Sequence, residues 1–411
     1  MRVAHAAPRV VTCDPARATA GDPLGVILDG AVLVEDGRVD WVGPVADLLS
    51  LPGEEAPLTF HSTAVLTPGL VDAHTHACWA GSRHAEYAAR MAGDPYEAIA
   101  AAGGGILSTH RAVAAATVDE LAGELEARLR RMAALGVTCV EVKSGYGLLP
   151  AHEEKQLRAI ARVREDASLP RVVPTFLALH ALPPGVSREA YVERVAEDLV
   201  PRFAGEELYE FVDAYVDQNA FRVEDARRVG RAALAAKRRV RLHVGQFADV
   251  GGAELCAELG ALSADHLEHV SAEGAASLAA AGTFAVLLPV ASFTLQQAPP
   301  PVALLRAAGV RLVVGSDSNP GTAPTESLPL ALALAVRAYG LTPAEAILGA
   351  TRLAAGSLGM GSLGERRGVL TAGARADLVV WDLPHELALI QPWGTARTRL
   401  VMRDGSVVFR A

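Results

Sequence analysis

The chain has 411 residues, of which 51% are apolar and 21% charged, and its formal net charge is -9. That length allows roughly two or three units, or one large barrel with an attachment, and the apolar content excludes general disorder. With 38 basic residues against 47 acidic ones the surface is acidic on average, which makes nucleic acid a poor partner.

The first residues meet Arg2, Arg9, Asp14 and Arg17 before any sustained apolar run, so no signal peptide is expected. Residues 32–42 then read as two short β-patterned runs around Asp36-Gly37, a hairpin signal. From there strand and helix patterns alternate. Strands are predicted over 65–74, 137–143, 172–180, 209–217, 240–245, 262–267, 283–290 and 312–317. Helices are predicted over 118–135, 153–164, 189–199, 224–236, 252–259 and 324–338. The segment 274–305 has no charge, but Gly282, Pro289, Gln296, Gln297 and Pro299-Pro300-Pro301 divide it into a short helix, a strand and a loop, so no membrane span is expected. Near the end, Asp404-Gly405 repeats the hairpin signal between residues 400 and 409, and 376–381 reads as one more strand.

Eight strands with helical crossovers match a (β/α)8 barrel, an α/β fold, over residues 64–364. Neither terminal hairpin is stable alone, so residues 1–63 and 365–411 are expected to combine into one small β-sandwich. The first two barrel strands are separated by more residues than a βα unit needs. The excess, residues 77–111, carries Gly103-Gly104-Gly105 and is expected to be an active-site loop. Four cysteines (Cys13, Cys78, Cys139 and Cys256) form no Cys-x-x-Cys pair, as expected of a reduced cytoplasmic protein. Only three of the 38 basic residues are lysine (Lys143, Lys155 and Lys237), a bias to which the sequence attaches no function.

The strongest chemical signal is Pro68-Gly69-Leu70-Val71-Asp72-Ala73-His74-Thr75-His76 at the end of the first barrel strand. Two histidines at i and i+2 on an ending strand can turn to one metal ion, and imidazole suits zinc or iron. Alone the pair is weak. His243 in the fifth strand, His266 ending the sixth and Asp317 ending the eighth all fall where barrels build their active sites. Singly, each histidine reads better as a core residue and Asp317 as a turn cap; as a set they favour a metal site.

This constellation, with a β-sandwich made of both ends, resembles the metal-dependent amidohydrolase superfamily. Further blocks narrow the resemblance: Gly81-Ser82-Arg83, Gly103-Gly104-Gly105-Ile106, Glu141-Val142-Lys143-Ser144-Gly145-Tyr146-Gly147-Leu148, Ser263-Ala264-Asp265-His266 and Asp317-Ser318-Asn319-Pro320-Gly321-Thr322. They are similar to the branch that opens the ring of 4-imidazolone-5-propanoate to N-formimidoyl-L-glutamate in histidine degradation, and the similarity runs over nearly the whole chain. The resemblance implies one zinc or iron(III) ion on His74, His76, His243 and Asp317, with an activated water as nucleophile. It implies Asp317 as proton carrier and His266 as the group that polarises the carbonyl or stabilises the oxyanion. It also implies a substrate site of Arg83, Tyr146, His180, Gln246, Asn319, Gly321 and Thr322, and a homodimer.

The chain departs from that branch in three places. His243-Val244-Gly245-Gln246 stands where an acidic His-Ala-Asp-Glu is frequent, so Gln246 can bind substrate but cannot be a general base. Ala73 replaces a usual proline, and Cys78-Trp79-Ala80 a more aliphatic run. The competing readings are another hydrolase of the superfamily and a catalytically dead barrel. A deaminase needs a glutamate at position 246, a binuclear enzyme needs a lysine on the fourth strand, and a dead barrel would have lost metal ligands.

Overall fold

The computed structural model describes residues 2–48, 50–51, 56–93, 104–362, 364–391 and 393–411. The N-terminal part supplies β1 (Arg2–Val11), β2 (Val26–Glu35), β3 (Arg38–Pro44), β4 (Leu58–Phe60) and β5 (Val65–Pro68). The barrel follows as β6 (Leu70–Asp72), β7 (Val137–Lys143), β8 (Arg171–Leu179), β9 (Phe211–Val216), β10 (Arg239–Val244), β11 (Ser263–His266), β12 (Phe284–Leu287) and β13 (Arg311–Val314). The chain ends with β14 (Leu378–Trp381), β15 (Thr398–Arg403) and β16 (Ser406–Arg410).

Both ends join one mixed sheet in the order β16-β15-β14-β5-β1-β2-β3, with β4 beside β1. The two Asp-Gly turns have positive φ at both residues, as a two-residue hairpin with right-handed strand twist requires. The sheet folds over so that its tips meet: a Cβ on Gly37 would lie 3.0 Å from the Asp404 carbonyl oxygen. Val32, Val34, Val39, Leu66, Leu378, Val380, Leu400 and Met402 are buried together in this sheet's own core. The expected joining of the two ends is therefore present, as two halves of one folded sheet.

The run 65–74, predicted as one barrel strand, serves both sheets. Val65–Pro68 pairs with β1 and β14, while Leu70–Asp72 pairs with β7. The chain crosses over at Gly69, where a Cβ would lie 2.1 Å from Thr138 Oγ1. The passage to the barrel thus comes one strand later than the sequence pattern suggested.

The barrel strands run in chain order from β6 to β13, every pair parallel. Closure between first and last is made just beyond their carboxyl ends. Asp317 N donates to the His74 carbonyl (3.0 Å), and His76 N donates to the Ser318 carbonyl (2.9 Å). The seam of the barrel therefore runs through three of the proposed ligands. Outside it, helices such as Val118–Ala133, with its Thr117/Glu120 capping box, bury one apolar face against the strands.

The uncharged segment becomes helix Ala272–Ala281, strand β12, and helices Pro289–Leu295 and Val302–Ala308, so two short helices stand where a loop was expected. Among the described residues no helix is long and apolar enough to cross a membrane. The excess after the first barrel strand contains helix His84–Met91 and the start of helix Ile106–Ala115. Residues 94–103, with Gly103 of the triple glycine, lie outside the described residues.

Candidate active site

His74, His76, His243, His266 and Asp317 are all buried at the carboxyl end of the barrel. Asp317 Oδ1 lies 3.5 Å from both His74 Nε2 and His76 Nε2, and His243 Nε2 lies 3.3 Å from His76 Nε2. The other nitrogens of two rings are already committed. His74 Nδ1 faces Asp265 Oδ2 at 2.6 Å and His243 Nδ1 faces Asp213 Oδ1 at 3.0 Å. A carboxylate accepts, so each ring carries its proton on Nδ1 and turns an Nε2 lone pair inward. His74 Nε2 has no hydrogen-bond partner despite its burial.

Imidazole nitrogens converging on one point with a carboxylate, the buried His74 Nε2 lone pair among them without a hydrogen-bond partner, suit a cation placed between them. Two overlapping donor groups meet that requirement, His74/His76/Asp317 and His74/His243/His266, each with its ligand atoms within 4.8 Å of one another. Burial, first of all, holds His74, His76 and His243 well below the usual histidine range, which keeps them neutral as metal ligation requires. Burial also pushes the Asp317 carboxyl up to about 7 against the opposing charge of His266. At His266 burial disfavours the proton, but Glu268, 3.7 Å away, and Asp317 outweigh it and the net shift is upward.

His266 and Asp317 also have left-handed backbones, φ 82° and 54°. Such conformations are costly for residues with a Cβ and persist where the surroundings impose them. At His266 the imposition comes from Leu267 N on the Val244 carbonyl (3.0 Å) and His269 N on the Gly245 carbonyl (2.8 Å). Asp317 is held by the closing bond to His74.

The other expected site residues form a rim. Tyr146 is buried with its ring centroid 6.0 Å from that of His76 and 5.2 Å from that of His180. Side chains satisfy the backbone that carries it. Glu153 accepts from Gly145 N (3.0 Å) and Leu148 N (2.6 Å), and Gln156 Oε1 accepts from Tyr146 N and Gly147 N (both 3.1 Å). His180 Nδ1 sits 2.8 Å from the Gly145 carbonyl, so it donates there and leaves Nε2 for the pocket. Burial pushes His180 down to about 4.

Arg83 is held by Glu86 through Nε (3.0 Å) and Nη2, and Glu86 also accepts from Gly105 N (2.8 Å). The guanidinium lies against Gly321. Asn319 Oδ1 accepts from Gly321 N (2.8 Å) and Thr322 N (2.7 Å), and Asn319 Nδ2 donates to the Asp317 carbonyl (2.7 Å). These two backbone N–H groups, expected to face substrate, are thus spent inside the turn, which instead ties Asp317 to the seat of Arg83. Gln246 Oε1 accepts from Tyr215 OH (2.8 Å), leaving its NH2 as the free donor.

A profile described as the amidohydrolase family matches residues 65–408. An imidazolonepropionase of Acidiphilium cryptum (strain JF-5) is 46% identical over 388 residues, 93% of this chain and 94% of that protein. One of Chromobacterium violaceum is 46% identical over 387 residues, 93% of this chain and 91% of that protein. The chain belongs to the amidohydrolase family, among the imidazolonepropionases. A crystal structure of an adenosine deaminase from Xanthomonas campestris with bound zinc superposes with a TM-score of 0.74 at 22% identity, covering 98% of this chain and 92% of that one. At that identity the likeness concerns the barrel fold.

Membership of the amidohydrolase family and this donor set together point to a metal cofactor. Sequence reasoning found the inward-facing donors but missed what holds them: Asp213, Asp265 and Glu268 behind the histidines, and Glu153 and Gln156 behind Tyr146. A signal existed for the first group. Asp213 is a charged residue inside an otherwise apolar barrel strand and Asp265 one inside a fully buried strand, which is tolerable only with a buried partner. Glu153 and Gln156 sit three apart on one face of helix Pro150–Arg164, both buried, and nothing in their residue types distinguishes them from the polar residues of its solvent side.

Proposed function

We propose that this chain hydrolyses the ring C–N bond of 4-imidazolone-5-propanoate, releasing N-formimidoyl-L-glutamate. The observation that carries the reading is the convergence of the His74, His76 and His243 rings on the Asp317 carboxyl, with the buried His74 Nε2 left unpartnered, beside a seated arginine. The relatives named imidazolonepropionase, 46% identical over 93% of the chain, support the substrate.

In this reading His74, His76, His243 and Asp317 hold one zinc or iron(III) ion. Such an ion supplies Lewis acidity and brings a water within reach of deprotonation near neutral pH. Asp317, whose burial favours the proton, takes it from the water and passes it to the ring nitrogen as the C–N bond breaks, while the hydroxyl goes to the carbonyl carbon. His266, whose hold on a proton is strengthened by Glu268 against the effect of burial, donates to the oxygen on which negative charge develops. Arg83 and Tyr146 bind the propanoate, as the guanidinium fork suits a carboxylate. His180 Nε2 and the Gln246 NH2 orient the ring, and Asn319, Gly321 and Thr322 shape the wall under Arg83. Two finer readings remain, a cytoplasmic location, which rests on the cysteine pattern, and a homodimer, which rests on the resemblance; cell fractionation and light scattering test them.

The test is a spectrophotometric assay with freshly generated 4-imidazolone-5-propanoate on protein of measured metal content. Turnover with about one equivalent of zinc or iron is expected, and His243→Ala is expected to lose both. Metal-loaded protein without turnover, or His243→Ala with wild-type metal and rate, would overturn the reading.

A further inference from the structure

Below the converging imidazoles lie five charged side chains with no exposure: Glu141 and Lys143 on β7, Asp213 on β9, Arg241 on β10 and Asp265 on β11. Three carboxylates and two cations in a protein interior are costly unless their geometry satisfies them. Lys143 Nζ donates to Glu141 Oε1 (2.9 Å) and Asp213 Oδ2 (2.8 Å), and lies 4.0 Å from Asp265 Oδ2. Arg241 Nη2 donates to Asp265 Oδ2 (2.9 Å) and to the Ala73 carbonyl (2.6 Å).

Each carboxylate then reaches upward to the site. Asp213 accepts from His243 Nδ1 and Asp265 from His74 Nδ1. Glu141 Oε2 accepts from Thr75 N (3.0 Å), the residue between His74 and His76. The segments bearing three of the four proposed ligands are thus fastened to one charged platform. Lys143 is the only member that donates to the carboxylates beneath two of these attachments, Thr75 and His243, at once.

We propose that Lys143 is a positioning residue of the metal centre: by binding Glu141 and Asp213 together it fixes His243 and the His74-Thr75-His76 segment in the orientation that presents both Nε2 lone pairs to the ion. The inference rests on the metal-site reading above. It explains why a chain that uses arginine for nearly all its basic positions keeps a lysine here. An ammonium joins two carboxylates at one point, where a guanidinium needs a wider fork.

Zinc affinity of the full-length protein, measured by competition with a chromogenic chelator, tests this without reference to turnover. Lys143→Met is expected to weaken zinc binding about 10- to 100-fold, the range typical of lost partners to ligating histidines. Arg367→Met serves as control: it removes an equally buried cation, one paired with Asp377 and Asp404 in the terminal sheet. It is expected to lower the melting temperature while leaving zinc affinity unchanged. Asp213→Asn is expected to weaken zinc too, and Lys143→Met/Asp213→Asn no more than the worse single change, because the two act as one unit. Should Lys143→Met not fold, Asp213→Asn and Lys143→Arg are read the same way. Wild-type zinc affinity in a Lys143 variant whose melting temperature falls like that of Arg367→Met would reduce Lys143 to a structural role and overturn the proposal. A wild-type protein that binds no zinc or iron would instead overturn the metal-site reading.

Discussion

Arg83 lies so close over Gly321 that a Cβ on the glycine would sit 2.2 Å from Nη1 and 2.7 Å from Cζ. Real Cβ atoms do not approach so near, so any side chain at 321 must push the guanidinium off its seat. Gly321→Ala is therefore expected to raise KM for the propanoate substrate at least about tenfold, since a displaced fork loses its charge-assisted contact. The turnover number should stay within about threefold. Steady-state kinetics over a wide substrate range decide it, and an unchanged KM would mean that Arg83 does not bind substrate.

Asp317 and Gln246 separate proton transfer from binding. Asp317→Asn keeps the size of the side chain and removes its capacity to carry a proton, so kcat is expected to fall by about 100- to 10,000-fold. Gln246→Ala removes an NH2 donor and the oxygen that accepts from Tyr215 OH. Its effect should fall on KM, with kcat within about tenfold of wild type. A collapse of kcat in Gln246→Ala would place proton chemistry at this position.

Gln156→Leu tests the support of Tyr146. The substitution orphans Tyr146 N and Gly147 N, both buried, at a cost of about 1–3 kcal/mol for each lost acceptor. Denaturant unfolding should show that loss, and KM should rise because the Tyr146 ring is no longer fixed beside His180. Wild-type stability would mean that other groups satisfy these donors.

The terminal sheet holds a pH-sensitive pair, with His5 Nδ1 3.2 Å from His61 Nε2. Burial, and then the charges of His61 and Arg410, lower His5 from 6.5 to about 4. The unfolded chain therefore takes up this proton first as pH falls. Stability from the neutral ring is full above pH 6.5 and is lost progressively down to about pH 4. The whole effect is on the order of 3 kcal/mol at most. His5→Gln should unfold with a correspondingly weaker pH dependence between 7.5 and 4, read from melting curves at each pH; parallel curves for the two proteins would refute it.

The barrel and the cluster of metal-capable residues at its carboxyl end were legible because they obey periodic rules. Strands at regular intervals gave the count of eight, and donors at strand ends gave the site. His266 and Asp317 could be named from position, but their left-handed backbones could not, since nothing local requires them and only the bonds to Gly245, Val244 and His74 impose them. The crossing at Gly69 was invisible for a related reason. Residues 65–71 carry no charge to mark a boundary, so the pattern does not say that Thr67 and Leu70 belong to different sheets. Lys143 and Arg241 escaped because a charge on a buried strand has meaning only once its partners on other strands are known.

The pairing of β5 with β14 has a consequence for how the protein is made. Val65–Pro68 stands directly before the first barrel strand, yet its neighbour Leu378–Trp381 is synthesised only after the whole barrel. Until then the growing chain carries an unpaired apolar edge next to His74 and His76, and such edges invite association with other chains. Synthesis of residues 378–381, rather than of the barrel residues, is thus the event that closes the first strand's surroundings, and a ribosome stalled before residue 378 would leave a chain with its histidine cluster present and its frame unfinished.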